Sequence, residues 1–326
     1  MKSKILQLLK DSDGYVSGEE ISKVLGVSRT AIWKVISHLK EEGYVIESVT
    51  KKGYLLQETP DLLTEDEILY HLKTKWLGRK IVHYHQIDST NKEAKKLAAS
   101  GEKEGTIVIS EEQLAGRGRL GRTWISPAGT GIWMSVILRP SIAPTDASKI
   151  TLLAGLAVCE GIKEATGLPV QIKWPNDLVL HNKKICGILT EMSAEMEKIN
   201  YIILGIGINV NTDSFPEDLK NTATSLKIEG EKEYDRKEIV KAILMYLEQY
   251  YELYMKNQDM EDLLEKYKNH CLTLGKEVKI IHRNEEFIGK AVDLSKEGEL
   301  MVEKQDGQVI TVFSGEVSVR GLYGYI

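Results

Sequence analysis

Cysteine is scarce in this chain, and its three occurrences, Cys159, Cys186 and Cys271, are scattered. No two are spaced as in a zinc or redox motif, so each is expected to be a small buried hydrophobe. An odd count without a signal peptide points to a reducing, cytoplasmic setting. No apolar run reaches the roughly 18 residues that a membrane helix needs, so a membrane role is not expected. Basic charge is not in excess either: the net charge is −5. There is no chain-wide field of the kind that advertises nucleic acid, and a basic face has to be sought region by region. What is present is ordinary globular composition over 326 residues, enough for two or three domains with real cores.

Residues 1–60 read as a winged helix-turn-helix domain. Ile5, Leu8 and Leu9 recur at helical spacing. Ser17 with Glu20 forms a capping box for a second helix that carries Ile21, Val24 and Leu25 inward. Gly26 breaks it, and Ser28 caps a third helix with an apolar stripe of Ile32, Val35, Ile36 and Leu39. Val45–Val49 alternates as a strand, Lys51-Lys52-Gly53 turns, and Tyr54–Leu56 returns. The third helix offers Arg29, Thr30, Trp33 and Lys34 on its other side, and the hairpin tip offers Lys51 and Lys52. These residue types suit base edges and phosphates, so they are the candidate DNA contacts. Residues 1–56 hold nine Lys/Arg against seven Asp/Glu. That weak surplus implies that DNA affinity needs a dimer or a co-ligand. Trp33 could equally pack on the first helix, and such a fold can also serve protein contacts.

Pro60 marks a linker near 57–64, and Thr64 with Glu67 reads as a capping box opening the next helix. Residues 65–270 alternate strands and helices and are expected to form one mixed α/β domain. Residues 271–326 switch to short strands with glycine turns and read as a small SH3-like β-barrel, which makes the whole a multi-domain α+β protein.

The densest chemical signal is GRGRLGRTW, 116–124. It matches G-x-G-x-x-G literally, but RTWISPAGTG follows and no helix can open there, so a dinucleotide fingerprint is rejected. The lysine and Ser/Thr of a P-loop are also missing. What remains is a loop whose glycines let backbone donors approach a ligand and whose arginines, Arg117, Arg119 and Arg122, fit phosphate or carboxylate forks. Trp124 can stack on a flat ring such as adenine. A second cluster, KWPNDLVLHNKKICG, brings Lys173, Lys183 and Lys184 together with Asn176 and Asp177, and Asp177 could hold Mg²⁺ or orient a lysine. In GIGINVN, 205–211, glycines at alternate positions of a strand clear one face for a ligand, with Asn209 and Asn211 at hand. His83 and His85 alternate on a strand with no third ligand near in sequence, so they read as structural. Together these clusters suit a carboxylate attacking a nucleotide α-phosphate, a reaction that gathers negative charge.

These residues also carry a resemblance. DSTN at 88–91, GRGRLGRTW at 116–124, KWPNDLVL at 173–180, KKICGIL at 183–189 and GIGINVN at 205–211, in that order behind a winged helix, resemble the bifunctional biotin–protein ligases that double as biotin operon repressors. The resemblance runs nearly end to end. It implies activation of biotin by Mg²⁺ and ATP to biotinyl-5′-AMP. Biotin would then pass to a lysine of the biotin carboxyl carrier protein or domain of acetyl-CoA carboxylase or pyruvate carboxylase. It further implies a homodimer formed with biotinyl-AMP as corepressor on a palindromic operator. By the same resemblance Ser89, Thr90, Asn91, Gln113, Gly116 and Arg117 belong to the biotin pocket. Arg119 and Arg122 lie on the loop over the adenylate, Trp124 stacks on adenine, and Asn176, Gly187 and Asn209 contact the ligand. Lys184 bridges carboxylate and phosphate, with Arg119 and Asp177 as its catalytic companions; the metal ligands are left unassigned. Ser89 or Thr90 could instead be a plain helix cap. A lipoate–protein ligase, a ligase whose winged helix contacts protein, and an adenylate sensor without transfer stay as alternatives.

Overall fold

The computed structural model describes residues 1–196, 198–282, 285–314 and 317–321. They divide into two compact units, residues 1–62 with 69–71, and residues 63–68 with 72–326.

The first unit holds helices α1 (Lys2–Lys10), α2 (Gly18–Leu25) and α3 (Arg29–Glu41) and the hairpin β1 (Val45–Val49) and β2 (Gly53–Glu58). The Ser17 hydroxyl accepts the Glu20 N–H at 3.0 Å, and the Ser28 hydroxyl accepts the Ala31 N–H at 3.3 Å, so both predicted caps are made. Ile5, Leu9, Ile21, Ile32, Ile36 and Leu39 meet in one core. Val24 does not join them: it is 60% exposed, because the eight-residue α2 buries only a narrow stripe centred on Ile21. At the hairpin, a Cβ on Gly53 would lie 2.1 Å from the Val16 carbonyl oxygen, and φ there is +115°. Only glycine lets the strand cross residue 16 at that distance.

The helix that follows is α4 (Glu65–Leu69), whose residues 65–68 fall in the second unit. Its capping box is not formed: the Thr64 hydroxyl is buried with no hydrogen-bond partner among the described residues, and Glu67 turns inward toward Lys237, 3.7 Å away. There follow β3 (Ile81–Ile87), α5 (Thr90–Ala99), β4 (Ile107–Gln113), β5 (Gly131–Leu138), α6 (Ala147–Thr166), β6 (Gln171–Lys173), β7 (Asp177–Leu180), β8 (Lys183–Glu195), β9 (Lys198–Asn209), α7 (Leu226–Gly230), α8 (Arg236–Asn257) and α9 (Glu261–His270). The seven strands form one mixed sheet, ordered β3-β4-β5-β9-β8-β7-β6, in which only β3 and β4 run parallel. Every residue of β5 is buried, as a central strand covered on both faces requires. Ala94 and Ala98 of α5 pack on Val108, Ile137 and Ile203, which fixes α5 on one face. His83 is structural, bonded through Nε2 to Glu111 at 3.0 Å; Glu111 in turn pairs with the fully buried Arg236 at 2.8 Å. No helix among the described residues is long and apolar enough to cross a membrane.

The chain ends in β10 (Glu277–His282), β11 (Glu285–Leu294), β12 (Leu300–Lys304), β13 (Val309–Val312) and β14 (Val317–Gly321). The expected SH3-like barrel is not what these strands make. Their order is β13-β12-β11-β10-β14, an open antiparallel sheet, and no ladder joins β13 to β14 among the described residues. Alternation and turn residues predict strands but not closure, which depends on tilt and stagger. Residues 322–326, part of the stretch expected to form short strands, lie outside the described residues.

One long-range anchor holds the entrance of this unit. The Glu248 carboxylate on α8 accepts the backbone N–H groups of Lys75, Trp76 and Leu77 at 2.7, 2.9 and 2.9 Å. Glu248→Ala would leave three donors unpaired, and we expect a stability loss of about 2–4 kcal/mol, seen as a lower urea midpoint with unchanged slope.

Candidate functional site

A cleft of about 490 Å³ opens on the α5 face of the large sheet. Its floor exists because of strand parity. Ile203, Gly205 and Gly207 share one face of β9. Ile203 packs under α5, and beyond it the two glycines leave room. A Cβ on Gly205 would lie 2.2 Å from Asn91 Oδ1, and one on Gly207 would lie 2.6 Å from Trp124 Nε1. The two side chains therefore occupy the space that the glycines vacate.

One end of the cleft is a polar network at the start of α5. The Thr90 N–H and hydroxyl donate to Gln113 Oε1 at 2.9 and 3.1 Å, and Gln113 Nε2 donates to Ser126 Oγ at 2.9 Å. Ser135 Oγ lies 2.8 Å from Thr90 Oγ1 and 2.6 Å from Asn91 Oδ1; Asn91 Nδ2 donates to Glu191 at 2.8 Å. Ser89 precedes α5 at the cap position, but its side chain makes no capping bond.

The Arg-Gly loop folds back on itself. Gly118 N–H donates to the Arg122 carbonyl at 2.7 Å, Trp124 N–H to the Gly116 carbonyl at 2.9 Å, and residues 119–121 make a single 3-10 turn. No helix opens there, as expected. Arg117, Arg119, Arg122 and Trp124 line the cleft; Gly116 does not. Gly116 is where the backbones cross, since a Cβ would meet the Trp124 carbonyl oxygen at 2.4 Å. The Trp124 ring lies against Gly187 and Gly207, and it is T-shaped to Trp133 with ring centres 6.5 Å apart. Its indole Nε1 is buried and has no hydrogen-bond partner among the described residues.

The opposite wall carries the charge. Lys184 Nζ contacts Asp177 Oδ1 at 2.5 Å and sits 5.3 Å from the centre of the Trp124 ring. Arg119 donates to Asn176 Oδ1 at 2.6 Å and to the Ser314 carbonyl at 2.8 Å; Asn176 Nδ2 donates to the Ile188 carbonyl at 3.0 Å. Burial lowers the Arg119 pKa, an effect that Asp177 partly offsets. Lys173, only 7% exposed, faces the same space. Burial pulls its ammonium pKa down to about 8; Asp177 opposes that shift, and Lys184, Arg122 and Arg320 add to it. Asn209 is buried, donates through Nδ2 to the Thr224 carbonyl at 3.1 Å, and borders the cleft with Gly187.

Residues 83–209 match the biotin/lipoate A/B protein ligase family, residues 2–55 an HTH domain, and residues 273–320 the biotin protein ligase C-terminal domain. The chain is 40% identical over 98% of both sequences to the bifunctional ligase/repressor BirA of Bacillus spizizenii. It is 32% identical to the protein of that name from Escherichia coli, over 97% of this chain and 96% of the relative. The chain belongs to the bifunctional biotin–protein ligase/repressor family. A biotin protein ligase from Aquifex aeolicus, solved with biotin and ATP, superposes with a TM-score of 0.66 at 32% identity, covering 74% of this chain and 99% of that one. The chain is accordingly an ATP-dependent biotin–protein ligase that also acts as a biotin-responsive transcriptional regulator.

In this ligase the cleft gathers Ser89, Thr90, Asn91, Gln113, Arg117, Arg119, Arg122, Trp124, Asn176, Asp177, Lys184, Gly187 and Asn209. Reading by motif missed the segment carrying Phe215, Leu219 and Thr222, and Arg320 of β14. Neither stands in a chemically distinctive stretch, and only the fold brings them over the cleft. On the first unit, Arg29, Thr30, Lys34, Lys51 and Lys52 are all exposed. Trp33 is 60% exposed. Arg29 is held by Glu19 at 2.8 Å.

Two outcomes are expected. Gly205→Ala should displace Asn91 and lower stability by about 1–3 kcal/mol, and adding Asn91→Ala should recover part of that loss in chemical denaturation. For Lys173 the unfolded chain binds the proton more tightly than the folded one. Its charge therefore opposes folding below pH 8, and that penalty is relieved as pH rises from about 8 toward the ordinary lysine value. Lys173→Met should stabilise the protein at pH 7, and its advantage over the native chain should shrink between pH 8 and 10.

Proposed function

We propose that this cleft performs both half-reactions of biotin transfer. Biotin lies with its ring system toward Ser89, Thr90, Asn91, Gln113 and Arg117. Its carboxylate reaches toward Lys184 and Arg119, and the nucleotide lies along Trp124, Asn176, Gly187 and Asn209, with Arg122 on the covering loop. The observation that carries the reading is the meeting of Arg119, Asn176, Asp177 and Lys184 on one wall, linked by direct contacts. A carboxylate oxygen attacks the α-phosphorus, the bond to the β-phosphate breaks, and pyrophosphate leaves. Lys184 and Arg119 neutralise the charge shared between the two reactants. An amine of the carrier lysine then attacks the mixed anhydride carbonyl, the amide forms, and AMP leaves as a stable anion. Asp177 holds Lys184 Nζ in place before substrate arrives.

Mg²⁺ fits this scheme as a companion of the triphosphate. No group of three or more metal-ligating side chains exists among the described residues, and Asp177 is the one carboxylate among those lining the cleft. An ion that keeps most of its waters and takes phosphate oxygens needs no more than that.

The regulatory half of the reading places operator DNA on Arg29, Thr30, Trp33 and Lys34 of α3, with Lys51 and Lys52 at the wing, and residues 1–60, 65–270 and 271–326 as its functional parts. The first unit is only weakly basic, so two copies joined in a homodimer would be needed to hold a palindromic site, with biotinyl-5′-AMP as corepressor. The acceptor is the carboxyl carrier domain of acetyl-CoA carboxylase or pyruvate carboxylase, and the setting is the cytoplasm.

The test follows pyrophosphate release and intact mass of a carrier domain, with operator binding measured with and without biotin and ATP. Lys184→Ala and Arg119→Ala are each expected to slow biotinyl-AMP formation by roughly 100-fold or more. Native rates in both variants would remove these residues from the mechanism.

A further inference from the structure

Lys184 is tied to more than its ion pair. Its backbone N–H donates to the Thr222 carbonyl at 2.8 Å, and its carbonyl accepts the Thr224 N–H at 2.9 Å. Residues 222–224 thus lie as a single parallel bridge along the start of β8. The same segment, running from β9 to α7, brings Phe215, Leu219 and Thr222 over the cleft. Its stem is locked by one carboxylate. Thr224 Oγ1 donates to Glu229 Oε1 at 2.7 Å, and Glu229 Oε2 contacts His181 Nδ1 at 2.5 Å.

The position of Glu229 is unusual for its surroundings. It sits on the five-residue α7, yet its side chain is only 14% exposed. A charge withdrawn from water is costly unless it is bonded. Both of its partners flank Lys184 and belong to different segments. His181 is in the two-residue turn before β8, at φ +48°, and Thr224 is in the strand-like stem on the other side. The helix itself is capped by Ser225, which accepts the Ile228 N–H at 3.1 Å, so α7 does not depend on Glu229 for its start. The carboxylate instead clamps the turn and the stem between which the Lys184 backbone passes.

We propose that Glu229, acting through Thr224 and His181, is a positioning residue that fixes the Lys184 backbone and hence the place of its ammonium in the cleft. The inference rests on the role of Lys184 given above. A small displacement of a charge-neutralising group is enough to slow a reaction that depends on its placement. The clamp therefore affects turnover more than binding.

The experiment uses the full chain and reads pyrophosphate release with biotin and ATP, resolving kcat and KM, alongside thermal melting. Thr224→Val keeps the shape and removes the donor; Thr224→Ser restores it. Glu229→Gln removes the charge. Thr224→Val and Glu229→Gln are each expected to lower kcat about tenfold with little change in KM for ATP or in the melting midpoint. The double variant should be no slower than the worse single, because both cut one linkage, and Thr224→Ser should return most of the rate. His181→Asn, which suits a positive φ at an exposed turn, gives a third, milder cut should a stem variant fold poorly. Native kcat in these variants while Lys184→Ala is slow would overturn the clamp alone. Native kcat in Lys184→Ala would overturn the reading beneath it. Additive losses that track a fall in the melting midpoint would show a merely structural role and also overturn the clamp.

Discussion

The site depends first on a steric constraint in β9. Two glycines at successive same-face positions leave a gap in an otherwise tightly packed sheet, and the gap is filled from two directions. Asn91 enters from the start of α5 and Trp124 from the end of the Arg-Gly loop. Neither could hold its position if residue 205 or 207 carried a side chain. Because Asn91 is bonded to Ser135 and Glu191, and Trp124 to the Gly116 backbone, the gap aligns three separate segments of chain. The cleft is the space that remains between them.

Electrostatics builds on that frame. Six cations, Arg117, Arg119, Arg122, Lys173, Lys184 and Arg320, border one space with a single lining carboxylate, Asp177. Like charges at such density oppose one another, and the fold manages them unequally. Lys184 is paired with Asp177, Arg119 is anchored on neutral oxygens, and Lys173 is buried far enough that its proton is held weakly. A surplus of positive charge held in place before a polyanion arrives needs little rearrangement when it does. The loops that cover this space come from the middle and the end of the chain. The C-terminal sheet matters here: the carbonyl of Ser314, just past β13, receives Arg119, and Arg320 of β14 borders the cleft.

Much of this was legible in the residues. The caps at Ser17 and Ser28, the hairpin at residues 51–53 and the alternation of strands and helices over 65–270 all follow from local spacing, because period and turn chemistry act over a few neighbours. The Arg-Gly loop, KWPND, Lys184 and the β9 glycines were conspicuous because they spend flexibility and charge where packing asks for neither. Local reasoning failed where a distant partner decided the outcome. Thr64 makes no cap among the described residues, and Glu67, the other half of the predicted box, turns instead toward Lys237, some 170 residues away in the chain.

The sequence by itself determined the order of elements, the two chemically dense loops and the small winged module, since each depends on contacts within one short segment. Only the tertiary structure decided that the last five strands stay open, that Phe215, Leu219 and Arg320 reach the cleft, and that Glu229 clamps the backbone of Lys184. Those outcomes depend on strand order and on side chains converging from remote positions, and a pattern read along one dimension does not contain the distances that settle them.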